Sequence, residues 1–513
     1  MFMEKNKFAA ARIFSDNMVL QREKANLIWG TGIDGKLVEI KFKGNIYTTF
    51  VSEGKWRIRL AAMNASKGDT MLISCEEKRL EIKNVSVGEV WLAGGQSNME
   101  FYLRFDKEFK SVKRDGENED IFFFDYPEVA YPGQIEEHDY SNFGFWRPCK
   151  KEHLEYYSAV AYYFAEKLQK EYKVPVGIVG CNWGGTSASC WMDESYLKDN
   201  EGKIWLEEYK TGIKTIDLEK YDEEYAANPS NYTGKPFENK LSLMLLYGIP
   251  RWLTKLIASK VSDKMDSIMP AIGPKHPWRP CGVYESMLKQ VAPYGIRGVI
   301  WYQGESDDIH ADIYDMVLTQ MIQCWRDLWK ENIPFLITQI APMGFWLSGH
   351  PENYYIIREK QEIVSKNVDN VWLTTAGDAG MEWDVHPKRK RPIGERLALL
   401  AQGHIYGEKI LCDPPECTDI VVESGKVILK FINVDGGIYQ KGKGIASLEC
   451  TGNGKKLDNC RAYVDGEKIV ILHENITPDD CIQVSFARTL YHEVNIFNKS
   501  QIPVRPFYIE NTK

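Results

Sequence analysis

The first place where residue types and spacing offer chemistry is Gly94-Gly95-Gln96-Ser97, reached from an apolar run, Val90 to Ala93. Two glycines permit a tight turn that lifts a serine hydroxyl out of a strand end. A serine there also serves as a helix N-cap. A second run, Val176 to Cys181, ends in Asn182-Trp183-Gly184-Gly185-Thr186-Ser187. Paired glycines let backbone N–H groups face an oxyanion without a side chain in the way, or simply make a turn. A third, Val299 to Tyr302, delivers Gln303, whose amide can donate to developing negative charge. Near the last apolar run stands Asp384-Val385-His386-Pro387. In a turn that spacing lets a carboxylate hold one imidazole nitrogen and leaves the other to take a proton from Ser97. A surface loop or helix cap would use the same two residues.

The elements that must position these groups follow from hydrophobic period. Between residues 8 and 87, alternation such as Val38-Glu39-Ile40-Lys41-Phe42 and Trp56-Arg57-Ile58-Arg59-Leu60 predicts a β-sandwich. From 88 onward buried-type strands alternate with helical stretches. Ser158 to Lys173 sets Val160, Phe164 and Leu168 on one face, as a doubly wound α/β sheet requires. Sites in such sheets lie at the carboxyl ends of the strands. Charge-rich helical segments between about 195 and 280, closing on Pro270, Pro274, Pro277 and Pro280, break the rhythm and read as an insertion. Short strands return after 410. The expected division is 1–87 β-rich, 88–194 and 281–409 a split α/β catalytic domain, 195–280 a helical insertion, and 410–513 β-rich.

Composition bounds the function. With 64 Lys and Arg against 72 Asp and Glu, the net charge of −8 gives no electrostatic footing for nucleic acid. Lys388-Arg389-Lys390-Arg391 reads as a solvated helix start rather than a nucleic-acid patch. No run approaches the roughly 20 apolar residues of a membrane span, and the first residues lack the apolar stretch of an export signal. Eleven scattered Cys without a C-x-x-C pair read as reduced thiols, fitting a cytoplasmic protein. No Cys/His cluster at zinc spacing appears, so neither metal nor cofactor is expected.

In this order, GGQSNME, NWGGTS, VIWYQGES and DVHP resemble the sialate O-acetylesterase group of the SGNH (GDSL-like) hydrolase superfamily. The resemblance implies an α/β SGNH core flanked by β-sandwich modules. Its site would have Ser97 as nucleophile, His386 as base, Asp384 as its orienting carboxylate, and an oxyanion hole from Ser97, Gly184, Gly185 and Gln303. Gln303 stands where many superfamily members carry Asn, and the Asp-to-His interval is one residue shorter than the common D-x-x-H. The implied activity is hydrolysis of O-acetyl esters on sugars, sialate first, through an acetyl-enzyme. Acetylated xylan, mannan or xyloglucan are alternative substrates, and an inactive carbohydrate-binding protein is the alternative of another class. Trp183 is a candidate wall of the sugar pocket, Glu305 a candidate partner of Gln303, and Arg104 a candidate guanidinium for a substrate carboxylate.

Overall fold

The computed structural model describes residues 7–137, 139–227, 247–248, 253, 272–344 and 351–511. The chain forms two compact units, one of residues 1–249, 268–306 and 316–335, the other of 250–267, 307–315 and 336–513. Both contain helix and sheet, and the class is mixed α/β.

The first unit begins with strands β1 (Ala9–Ala10), β2 (Val19–Gln21), β3 (Asn26–Thr31), β4 (Leu37–Phe42), β5 (Asn45–Phe50), β6 (Lys55–Leu60) and β7 (Ser66–Cys75). Their alternation is the one in the sequence: Val38, Ile40 and Phe42 of β4, and Trp56, Ile58 and Leu60 of β6, are buried while their neighbours face outward. β8 (Lys78–Gly95) is 18 residues long. Its first half pairs antiparallel with β7, and its second half runs parallel to β11 (Val176–Asn182) and β12 (Gly298–Tyr302). The boundary expected at residue 87 therefore falls inside a continuous strand. β9 (Asn118–Asp125) follows β11, and β10 (Trp146–Cys149) closes that edge antiparallel.

The β8, β11 and β12 runs are buried on both faces, which is why they read as unbroken apolar stretches. Helix α1 (Ser97–Glu100) leaves β8 directly. Helix α2 (Ala159–Tyr172) is capped by Ser158, whose hydroxyl accepts from Ala161 N–H at 3.2 Å, and is stopped by Lys173 in the left-handed region. Its buried Val160, Phe164 and Leu168 face the sheet, and Phe164 meets Trp91 edge-on at 5.0 Å. Helix α3 (Tyr314–Trp329) sends Trp325 Nε1–H to Trp191 O at 2.8 Å. Within 195–280 the described part contains helices Lys203–Ile213 and Leu218–Ala227, and most of the remainder lies outside the described residues.

In the second unit β13 (Phe335–Gln339) neighbours β14 (Val371–Thr375), with α4 (Tyr354–Asn367) before β14 and α5 (Arg391–Leu400) after it. Further on, two four-stranded antiparallel sheets share one core of Val427, Leu429, Ile469, Ile471, Val484 and Phe486. Among the described residues no helix is long and apolar enough to cross a membrane.

Candidate active site

Strand register assembles the first-unit groups. Cys181 and Asn182 of β11 stand opposite Gly94 and Gly95 of β8, and so do Trp301 and Tyr302 of β12. Neighbouring strands lie about 4.8 Å apart, so the three motif ends leave one sheet edge side by side. Gly95 is obligatory there: its φ is +140°, and a Cβ would lie 2.2 Å from Tyr302 O. Gln96 then locks the turn across the gap. Its Oε1 accepts from Gly304 N–H at 3.3 Å and Ser306 N–H at 3.2 Å, while its Nε2 donates to Ser306 Oγ at 3.1 Å. Ser97, 7% exposed, opens α1. A Cβ on Gly184 would stand 3.3 Å from Ser97 Cβ, so the second motif reaches the serine directly.

Several hydrogen bonds differ from expectation. Gly184 N–H is engaged by Glu100 Oε2 at 2.6 Å and is not directed at an incoming oxyanion. Gly185 is held with φ +77° beneath the Trp278 indole, where a Cβ would come within 2.3 Å of the ring, and Trp278 Nε1–H donates to Gly184 O at 3.0 Å. Gln303 is fully buried and gives one of its two amide hydrogens to Thr186 O at 3.2 Å, tying the second motif to the third. Glu305 Oε1 accepts from Asn98 Nδ2 at 2.6 Å and so steadies the residue after the serine. Trp183 donates its backbone N–H to Gly95 O, and with only 7% of the residue exposed little of its ring is open to a sugar. The Arg104 guanidinium lies over Phe105 and Tyr102, at 4.9 and 5.4 Å. Its Nε and Nη2 are buried with no hydrogen-bond partner among the described residues.

Glu100 was not singled out in the sequence, yet it is fully enclosed. Burial pushes its carboxyl up to about 7 against the opposing pull of the Tyr247 hydroxyl and Gly184 N–H. Because that value lies above the ordinary 4.5, the native state holds the proton more tightly than the unfolded chain. The resulting stabilisation is complete below pH 4.5 and is lost as pH rises through about 7. Glu100→Gln keeps an acceptor for Gly184 N–H but cannot ionise. We expect melting temperature to fall between pH 5 and 8 more steeply in the parent than in Glu100→Gln, by up to about 3 kcal/mol of stability. Equal slopes would remove Glu100 from the pH response.

Asp384 and His386 belong to the second unit, 3% and 1% exposed. Met381 and Asp384 close a tight turn, and Asp384 Oδ1 accepts from His386 backbone N–H at 2.8 Å. The ring nitrogen Nδ1 of His386 stands 3.7 Å from the same oxygen, longer than a hydrogen bond. Oδ2 instead pairs with Lys388 Nζ at 2.9 Å. Burial raises the Asp384 carboxyl above its usual range, opposed by Lys388. The basic run is thus not simply solvated: Lys390 is fully buried and Arg391 meets Glu395. Asp378, also in that loop, makes a bidentate pair with Arg396 of α5 at 2.6 and 3.0 Å, anchoring the turn to the helix. Without tertiary pairing, nothing in the sequence distinguishes Lys388 from a surface lysine.

Residues 268–401 match the family model described as carbohydrate esterase, sialic acid-specific acetylesterase. The chain is 23% identical over 440 residues to the sialate O-acetylesterase of Mus musculus, covering 79% of this chain and 74% of the relative. The Homo sapiens sialate O-acetylesterase is 21% identical over 463 residues, covering 83% and 76%. The fold is similar to the crystal structure of a carbohydrate acetylesterase from Xanthomonas citri, with TM-score 0.73, 22% identity, and coverage of 98% of this chain and 100% of that one.

Proposed function

We propose that this chain, a sialate O-acetylesterase-like enzyme, is a carbohydrate O-acetylesterase with an SGNH-type core, and that acetylated sialic acid is its substrate. The observation that carries the reading is the common register at which β8, β11 and β12 end, bringing Ser97, Gly184-Gly185 and Gln303 to one edge. The family match over 268–401 includes the Asp384-Val385-His386 turn.

His386 accepts the Ser97 Oγ proton as that oxygen attacks the acetyl carbonyl. Negative charge grows on the carbonyl oxygen and is met by Ser97 N–H, the Gln303 amide and, since Gly184 N–H is held by Glu100, Gly185 N–H. The carbon–oxygen bond to the sugar breaks, and the leaving hydroxyl takes the proton from His386. Water then gives a proton to His386 and attacks the acetyl-enzyme, the acyl bond to Ser97 Oγ breaks, and His386 returns that proton to Ser97 Oγ as acetate leaves. Asp384 sets the imidazole's tautomer once its carboxylate turns from Lys388 toward Nδ1, a closure of less than 1 Å from 3.7 Å.

Arg104 supports sialate as the sugar. Its buried Nε and Nη2, without hydrogen-bond partners among the described residues, offer a fork for a carboxylate. Arg104→Met is expected to raise KM for O-acetylated sialic acid by about 10- to 100-fold, the worth of a charge-assisted pair. Hydrolysis of a neutral aryl acetate should be unchanged. A panel of acetylated sialate, xylan, mannan and xyloglucan tests the substrate at the same time. Preference for a neutral glycan, with Arg104→Met silent on all four, would remove sialate and leave the esterase.

A further inference from the structure

The second unit contains a group of side chains that ester hydrolysis leaves unused. After α5 the helix widens into a π-helical turn, Ala401–Ile405, a distortion that gathers at functional sites. On that turn His404 directs Nε2 to Asp413, 2.9 and 3.0 Å from its two carboxylate oxygens. Cys412 Sγ lies 3.5 Å from the same nitrogen and 3.5 Å from Asp413 Oδ2. The approach depends on a glycine, because a Cβ on Gly403 would stand 2.4 Å from the Cys412 sulfur. The His404 ring is fixed by Trp372, stacked at 4.7 Å with 14° between planes.

We propose that His404, Cys412 and Asp413 form a divalent-cation site of zinc type, which ties the end of α5 to the segment entering the C-terminal strands. Tetrahedral zinc, with bonds of about 2.0 Å to nitrogen and oxygen and about 2.3 Å to sulfur, sets its N–S and S–O edges near 3.5 Å and its N–O edge near 3.3 Å. The two sulfur edges match, at 3.5 Å each. The N–O edge is shorter, at 2.9 Å, and opens with a small turn of the Asp413 carboxylate. A His–Asp pair alone would account for two of these groups but not for a sulfur directed at both.

Donor chemistry narrows the ion. One thiolate, one imidazole and one carboxylate favour zinc over the oxygen-seeking magnesium and calcium. Two anionic ligands neutralise a divalent charge, and binding releases the Cys412 thiol proton to solvent. His404 and Asp413 side chains are 25% and 31% exposed, so water completes the fourth position. α5 separates this group from His386 by about 15 Å of helix, at 1.5 Å per residue. The ion is therefore structural, and no step of acyl transfer runs through it. The eight-residue interval from His404 to Cys412 fits no zinc-finger spacing, which is why spacing alone does not reveal it.

The test uses the full chain carrying Cys481→Ser, which removes the exposed thiol. After equilibration with Zn2+ and dialysis into metal-free buffer, about one zinc per chain should remain. Co2+ should give a near-ultraviolet thiolate-to-cobalt band, and Zn2+ should raise the melting temperature. Adding Cys412→Ser should abolish the band, and Asp413→Asn, at a partly exposed position, should weaken retention by about tenfold or more. Aryl acetate hydrolysis reports separately that each variant is folded. Loss of zinc by the Cys481→Ser parent, or equal retention in both added variants, would overturn the site.

Discussion

Ser97→Ala should lower ester turnover by about four to six orders of magnitude while circular dichroism and melting temperature stay close to the parent. In the proposed mechanism the hydroxyl forms the acyl bond, and the Gln96 clamp that shapes the turn uses its own side chain rather than that of Ser97. The mutation therefore removes chemistry without removing the scaffold. His386→Ala should come within about tenfold of the same loss, because groups acting as one unit are not additive. Asp384→Asn should be milder, since in that mechanism its carboxylate orients and supports the ring without itself attacking. Steady-state and burst kinetics on an aryl acetate measure all three. Substantial turnover by Ser97→Ala would transfer the nucleophile's role to another residue.

The largest expected effect on stability lies at Glu89, a fully buried carboxylate on β8. Arg297 grips it with Nε and Nη2 at 2.8 and 2.9 Å, and Arg22 Nε reaches it at 2.5 Å. Burial alone would raise its carboxyl, but Arg297 and then Arg22 outweigh that and hold it below the ordinary 4.5. Glu89→Gln removes the buried charge that both cations share, leaving them the more exposed Glu23, and should cost about 3–5 kcal/mol. Arg22 and Arg297 keep 19% and 17% of their side chains exposed, which favours the lower end. Even that is a large part of the roughly 5–15 kcal/mol that holds a typical domain. The depressed value also fixes a sign: the contribution is present above pH 4.5 and disappears as pH falls through the folded value. Urea midpoints at pH 7 and pH 4 should converge in Glu89→Gln compared with the parent, and an unchanged midpoint at pH 7 would contradict the account.

Period and punctuation made much of the fold legible. Alternation in β4 and β6, unbroken apolar runs in β11 and β12, and the helical stripe of α2 appear where their residue patterns placed them. What eluded the sequence is long-range pairing of side chains. Asn98 finds Glu305 across 207 positions, and Gln96 finds Ser306 across 210. Such bonds exist only once strand register is set, and no local pattern encodes them. The same holds for Glu100, whose position in a short motif gives no hint that it will capture Gly184 N–H. Lys388 illustrates the converse: charge density reads as solvated until a buried carboxylate appears beside it.

The uninterrupted course of β8 bears on how this protein can be dissected or recombined. A strand that donates its first half to one sheet and its second half to another cannot be severed at the midpoint without stripping partners from both. The amino-terminal sheet and the serine-bearing sheet should consequently melt in one cooperative transition and exchange their shared amides on one timescale. Shuffling that keeps only the catalytic portion would have to begin before Lys78 and supply a substitute for β7. For this architecture the unit of inheritance is the pair of sheets.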